Sequence, residues 1–207
     1  MSRSFLNPEN GLMITMTQIT DCIFLSLFWF LGCFPLVTVG ASSAALYDAV
    51  WRCCRRGEPK AWGRFLHTFR RDLKAGLIPS VLFLAALWFG GKGMIGLWNA
   101  AVAGSVSWAV FSGGALLALT CVGILSVLFP LLSRFSNTLP GLLKNTLLLS
   151  LAHMPRTLAL GLLNTLCSGL CLRYIFPLFF LPALASLIST LLLEPMFRPH
   201  MTENAAV

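Results

Sequence analysis

The chain has 207 residues, 57% of them apolar and only 11% charged, with a mean hydropathy of +0.81. Soluble domains carry about 25% charged residues, and a globule this small lacks the interior to hide so much apolar surface. Composition therefore argues against a soluble enzyme, a disordered chain and a free nucleic-acid binder, and for a chain solvated by a bilayer.

The first apolar run, Cys22 to Val39, predicts a transmembrane helix over about 20–39. The GASSAA that follows imitates a signal-peptide cleavage site. However, no basic segment precedes the run, since Arg3 is accompanied by Glu9 and Asp21. We expect a retained span. Pro35 and Gly40 stop the helix near the surface, where freed carbonyls need partners, and Thr38 can supply one. Pro35, Thr38 and Gly40 form a candidate hinge whose plainer reading is a structural elbow.

From about 42 to 74 the pattern predicts an amphipathic helical hairpin rather than a linker. Ser42 or Ser43 can cap its first helix, and Leu46, Tyr47, Val50, Trp51 and Cys54 recur on one face. Gly57-Glu58-Pro59 signals a turn. From Ala61 a second helix places Trp62, Phe65, Leu66, Phe69 and Leu73 on one side, with Arg64, His67, Arg70, Arg71 and Lys74 on the other. Such a helix suits the inner leaflet, its cations facing lipid phosphates or a partner. Trp62, Phe65, Phe69, Arg70, Arg71 and Lys74 are accordingly the candidate partner or inner-leaflet contacts.

Spans are then predicted over about 75–98 and 106–132, joined by an uncharged connection flanked by Trp98 and Trp108. A polar break follows at Arg134, Ser136 and Asn137. An interfacial helix is expected over about 139–152, and the stretch 139–172 reads either as one helix kinked at Pro155 or as two. Further spans are expected over about 157–172 and 174–193, the latter with Pro177 and Pro182 inside it. The whole chain thus reads as a single all-α membrane domain, a polytopic helical bundle of about five transmembrane helices plus amphipathic cytoplasmic helices.

Charge orients this bundle. Of 15 Lys+Arg, eight fall between Arg52 and Lys74. Basic loops stay cytoplasmic, so the net +8 needs no nucleic acid to explain it. With that loop inside, twelve basic residues lie on the cytoplasmic side and three, Arg3, Lys92 and Arg173, outside. The expectation is a multi-pass protein of the cell membrane, N-terminus outside and C-terminus cytoplasmic.

Chemistry-bearing patterns are sparse. The seven cysteines form no disulfide framework, and Cys53 and Cys54 with distant His67 match no zinc spacing. Asn164 is the deepest polar candidate within a span, read chiefly as an interhelical hydrogen-bonding amide. Gly161 with Thr165, Ala185 with Ser189, and Gly113 with Gly114 offer packing seams. His153 before Pro155 is read as a cap or interface residue. No metalloprotease helix, nucleophile elbow, phosphate loop or paired carboxylate is found. We expect no enzymatic activity, no cofactor and no metal.

The sequence LFWFLGCFPLVTVGASSAALYDAV, continued by GEPKAWGRFLHTFRRDLKAGL and LPGLLKNTLLLSLAHMPRTL, resembles the YesL-like family of bacterial integral membrane proteins, a domain of unknown function. The resemblance rests on Pro35, Thr38 and Gly40, then Ala44, Ala45 and Leu46, then Phe65, Phe69 and Lys74, then Lys144, Asn145, Leu147, His153 and Pro155. It implies a small multi-helix membrane protein of Gram-positive bacteria encoded near carbohydrate transporters. The implied role is an accessory of sugar uptake whose partners are membrane lipids and subunits of an ABC-type sugar transporter. It carries over no catalytic residues. The alternative from another class is a small homo-oligomeric channel or carrier. An enzyme acting on lipids comes third, for want of a cluster of acids.

Overall fold

The computed structural model describes residues 11–55, 60–134, 139–174 and 176–203. The expected turn at Gly57-Glu58-Pro59 and the polar break at Ser136 and Asn137 lie outside them. The described residues form seven α-helices and no strand: α1 (Gly11–Cys33), α2 (Val39–Val50), α3 (Ala61–Val102), α4 (Trp108–Arg134), α5 (Leu139–Ala152), α6 (Met154–Arg173) and α7 (Leu181–Glu203). A π turn over Trp51–Arg55 follows α2, and a 3-10 turn over Phe176–Phe179 precedes α7.

Three of these helices, α1, α3 and α4, are long and apolar enough to cross a bilayer. The amphipathic segment and the second span are one continuous helix. The 42 residues of α3 give about 63 Å at 1.5 Å per residue, twice a hydrocarbon core of about 30 Å. Its charged first third therefore extends well beyond its apolar run. A five-residue turn with Gly104 at φ +73 reverses the chain into α4. There Trp98, Trp108 and Phe111 meet edge to face, with centroids 5.5–6.0 Å apart.

Over 139–172 the structure takes the two-helix form of the two expected, and over 174–193 it departs from the expected span. Residues 139–172 form two helices, α5 and α6, bent by 105° about His153. The pair makes a fourth span only as a broken or re-entrant one. The run 174–193 is likewise not one helix. Pro177 falls in the 3-10 turn and Pro182 in the first turn of α7. Pro140 and Pro155 also stand second in their helices. A first-turn N–H has no intrahelical acceptor, so proline loses nothing there.

The larger departure is α2. It is no surface-lying amphipathic helix: Gly40 to Ser42 and Ala44 to Val50 are all buried, on every side of the helix. It packs against α1, α3, α4 and α7. Both apolar core clusters include it, one through Ala44 and Tyr47 with Leu128, Leu142, Leu160 and Leu193, the other through Ala45, Leu46, Ala49 and Val50 with Leu25 and Phe65. Ser42 and Ser43 do not cap it, because α2 begins a turn earlier, at Val39. Instead Ser42 Oγ donates to the Trp29 carbonyl (3.0 Å) and Ser43 Oγ accepts the Trp29 indole N–H (3.2 Å).

Polarity is distributed as a bilayer requires. Trp88, Phe89, Ile95, Leu116 and Leu117 are exposed, while Ser26, Ser42, Asp48, Thr68, Asp72, Ser80, Thr146, Ser150 and Thr157 are buried. Water would favour the reverse arrangement; hydrocarbon favours this one, with polar groups bonded inside. The chain is an all-α membrane-type helical bundle.

Candidate functional site

Helices α2 and α3 cross closely enough that their side chains share one set of polar contacts. At the crossing, a Cβ on Gly76 would sit 2.9 Å from the Ala41 nitrogen, and one on Gly40 would meet the Gly76 carbonyl at the same distance. The Ser80 hydroxyl accepts the Gly40 N–H (2.8 Å) and donates to the Gly76 carbonyl (2.6 Å). Only glycine at both positions permits this approach.

Two turns further along α2, Asp48 is 1% exposed. Its Oδ1 accepts from Arg52 Nε at 3.0 Å. Its Oδ2 accepts from Arg64 Nε at 2.9 Å and from the Thr68 hydroxyl at 2.8 Å. Burial pushes the carboxyl upward, but the bonds from Thr68 and Arg52 and the charges of Arg64 and Arg52 outweigh it, so its pKa falls below the ordinary 3.8. A second ionic contact lies one turn further along α3. Arg71 grips Asp72 in a fork, Nε to Oδ1 at 2.7 Å and Nη2 to Oδ2 at 2.8 Å, and Nη2 also donates to the Ser133 carbonyl at 3.0 Å. This last bond ties α3 to the final turn of α4, whose carbonyls lack helical partners. On the other flank the Tyr47 hydroxyl lies 3.5 Å from Glu194 Oε1 of α7.

The candidate contact residues divide accordingly. Trp62, Arg70 and Lys74 are exposed on α3. Phe65 is turned inward, 2% exposed, and stacks with Phe28 and Phe69 at 6.0 Å on either side. The apolar face of α3 is thus occupied by α1 and α2 instead of lying free for lipid or a partner. Arg71 is about half exposed, and its guanidinium is engaged by Asp72 and Ser133.

At the elbow, Pro35 is exposed, Leu36 adopts φ +50, and the Thr38 hydroxyl donates to the Gly32 carbonyl at 2.6 Å. One freed carbonyl of α1 is thereby satisfied. Asn164 is half-buried on α6. The bonds that tie helices together come from other residues, among them Ser26 Oγ accepting the Ala183 N–H at the start of α7 (3.1 Å). The seam at Gly161 is filled by α4. Gly161 faces Gly123 of α4, 3.3 Å from that Cα for an added Cβ, while Thr165 bonds its own helix at the Gly161 carbonyl. Gly113 has open space around it. His153 stands at the α5–α6 break with Nδ1 buried and unbonded. Cys53 is buried, and the Cys54 side chain lies outside the description. Among the described residues no three His, Cys, Asp or Glu side chains gather closely enough to hold a metal ion.

Residues 22–90 match the family described as "Protein of unknown function, DUF624". This is one third of the 207-residue chain. Searches of the curated proteins and of the solved structures found no match. The matched stretch takes in most of α1, the elbow, all of α2 and α3 as far as Gly90, so it contains the Gly40–Gly76–Ser80 crossing and every member of the Asp48 cluster. Ser133 of α4 and Glu194 of α7, which meet Arg71 and Tyr47, lie outside it.

Sequence reasoning missed the ionic cluster. Asp48 and Arg52 stand four residues apart on one helix face, a signal that could have been weighed. Arg64 and Thr68 reach the same carboxylate only because α3 packs against α2.

Proposed function

We propose that the chain is a YesL-like, non-enzymatic membrane protein that acts by contact, as an accessory of an ABC-type carbohydrate uptake system. In this reading the Arg52–Lys74 region faces the cytoplasm, the N-terminus lies outside and the C-terminus inside. The orientation is supported by the twelve-to-three division of basic residues between the two sides.

The observation that carries the contact role is the mounting of the exposed Trp62, Arg70 and Lys74. They project from a helix pinned to α2 through the Asp48 cluster and to α4 through Arg71, so the basic face is held rigid. Rigid presentation lowers the ordering cost of binding. The carboxylates of this region act as ion-pair acceptors, which favours a structural and recognition role over acid–base chemistry.

The test is co-purification of the full chain from native membranes in a mild detergent, with wild type beside Arg70→Glu with Lys74→Glu. Transporter subunits should accompany the wild type and be lost from the variant. A chain that emerges alone, or sugar flux through the purified protein in liposomes, would replace this reading with the carrier.

A further inference from the structure

Between α4 and α5 a groove of about 420 Å³ opens at the surface of the bundle, walled by Ile124, Leu125 and Leu128 of α4 and by Leu143 and Leu147 of α5. Small-ligand sites run to about 300–1,000 Å³. Thr146 also lines the groove, but its hydroxyl donates to the Leu142 carbonyl of its own helix at 2.8 Å. These six residues therefore offer an occupant apolar contact. The seventh, Lys144, is exposed beside them. Among the described residues it has no hydrogen-bond or ion-pair partner.

The groove lies at the depth of one leaflet. At 1.5 Å per residue, Leu128 stands about 9 Å and Ile124 about 15 Å short of the end of α4 at Arg134. Half of a hydrocarbon core is about 15 Å. That end of α4 is its polar end, where Arg71 bonds the Ser133 carbonyl. A lysine beside such a wall lays its stem along it and carries its ammonium toward the headgroups. An apolar helix seated in the groove would fill it and leave the ammonium without a counter-charge, an expensive arrangement in hydrocarbon. A phospholipid of net negative charge supplies both an acyl chain and a phosphate.

We propose that the α4–α5 groove binds one anionic phospholipid, with an acyl chain along the leucine wall and the phosphate paired with Lys144. The pairing is a charge-assisted hydrogen bond. The floor is preformed, since Leu128 and Thr146 are buried. The inference goes beyond the accessory reading and does not depend on it, because it concerns the purified chain and a lipid alone.

The test uses the full-length protein in a neutral detergent, titrated with dioleoyl phosphatidylglycerol or dioleoyl phosphatidylcholine. The two share their chains and phosphate and differ in net charge. Binding is read by native mass spectrometry and by the shift in thermal midpoint. The wild type should take up one phosphatidylglycerol in preference to phosphatidylcholine. Lys144→Gln should weaken phosphatidylglycerol about fivefold, the worth of one lysine at an anionic surface, and leave phosphatidylcholine unchanged. Lys144→Arg should keep the preference. Leu147→Trp, which fills the groove, should weaken both lipids, and Leu143→Trp serves in its place if that variant does not fold. Lys92→Gln should bind like the wild type. The proposal is overturned if the wild type binds the two lipids equally, if Lys144→Gln keeps the preference, if the tryptophan variant binds like the wild type, or if Lys92→Gln loses as much as Lys144→Gln. A wild-type dimer abolished by the tryptophan would assign the groove to a second copy and would overturn it too.

Discussion

Arg64 of α3 donates its Nε–H to Asp48 of α2 at 2.9 Å, closing an ionic contact across sixteen residues and a chain reversal. The acceptor is almost wholly buried while the donor is partly solvated. Removing the acid therefore strands the Arg64 cation beside the buried Thr68, whereas removing one arginine leaves the acid another.

Asp48→Ala should lower the unfolding free energy by about 3 kcal/mol, the usual cost of breaking a buried ion pair by deleting one member. Arg52→Ala should cost clearly less. Thermal unfolding in detergent, followed by circular dichroism, makes the comparison. Equal effects would mean that Asp48 is not the centre of the cluster.

The same carboxylate sets an acid limit. Its folded pKa lies below the ordinary 3.8, so its contribution is fully present above that value and is lost as pH falls through the folded pKa. Unfolding midpoints measured from pH 6 downward should hold steady until about pH 4 and then drop. Asp48→Asn should start lower and show a shallower fall.

Ser80→Ala should destabilise by roughly 1–2 kcal/mol, because the buried Gly40 N–H then loses its acceptor. Gly40→Ala at the same crossing should be worse, since the new methyl would sit 2.5 Å from Ser80 Oγ and 2.9 Å from the Gly76 carbonyl. A Gly40→Ala protein as stable as Ser80→Ala would show that the helices can part at little cost.

The α4–α6 contact makes a parallel case. A Cβ on Gly161 would collide with the Leu119 carbonyl, and one on Gly123 with the Thr157 carbonyl. Gly161→Val should cost roughly 1–3 kcal/mol as an overpacked site. Gly113→Ala, which meets nothing within 4 Å, should leave the midpoint unchanged. The pair of midpoints separates a specific contact from a general intolerance of larger residues.

Orientation can be read from single cysteines placed in a background without native cysteines. Lys74→Cys, at an exposed position, should react with an impermeant maleimide only after the cells are opened. Lys92→Cys, also exposed and eighteen residues further along α3, should react in intact cells. The reverse pattern would invert the arrangement proposed above.

Much of the helical layout was legible because it depends on local composition. α4 follows from an uninterrupted apolar run, α5 from a short apolar stretch bounded by prolines, and the start of α3 from periodicity beginning at Ala61. The character of α2 was not legible in this way. Leu46, Tyr47 and Val50 mark one face, but Ala41, Ala44, Ala45 and Ala49 on the others are small enough to face either solvent or a neighbour. Likewise Phe65 and Trp62 both read as apolar contacts, and only the presence of Phe28 and Phe69 beside Phe65 distinguishes them.

Lipid solvation, helix content and the concentration of basic charge before Lys74 could be read from the residues alone, because each is a sum over neighbours in the chain. The burial of α2, the pairing of Gly123 with Gly161, and the meeting of Arg52, Arg64 and Thr68 on one carboxylate could not. These depend on which helices touch, and side-chain packing selects that among many arrangements with the same local pattern.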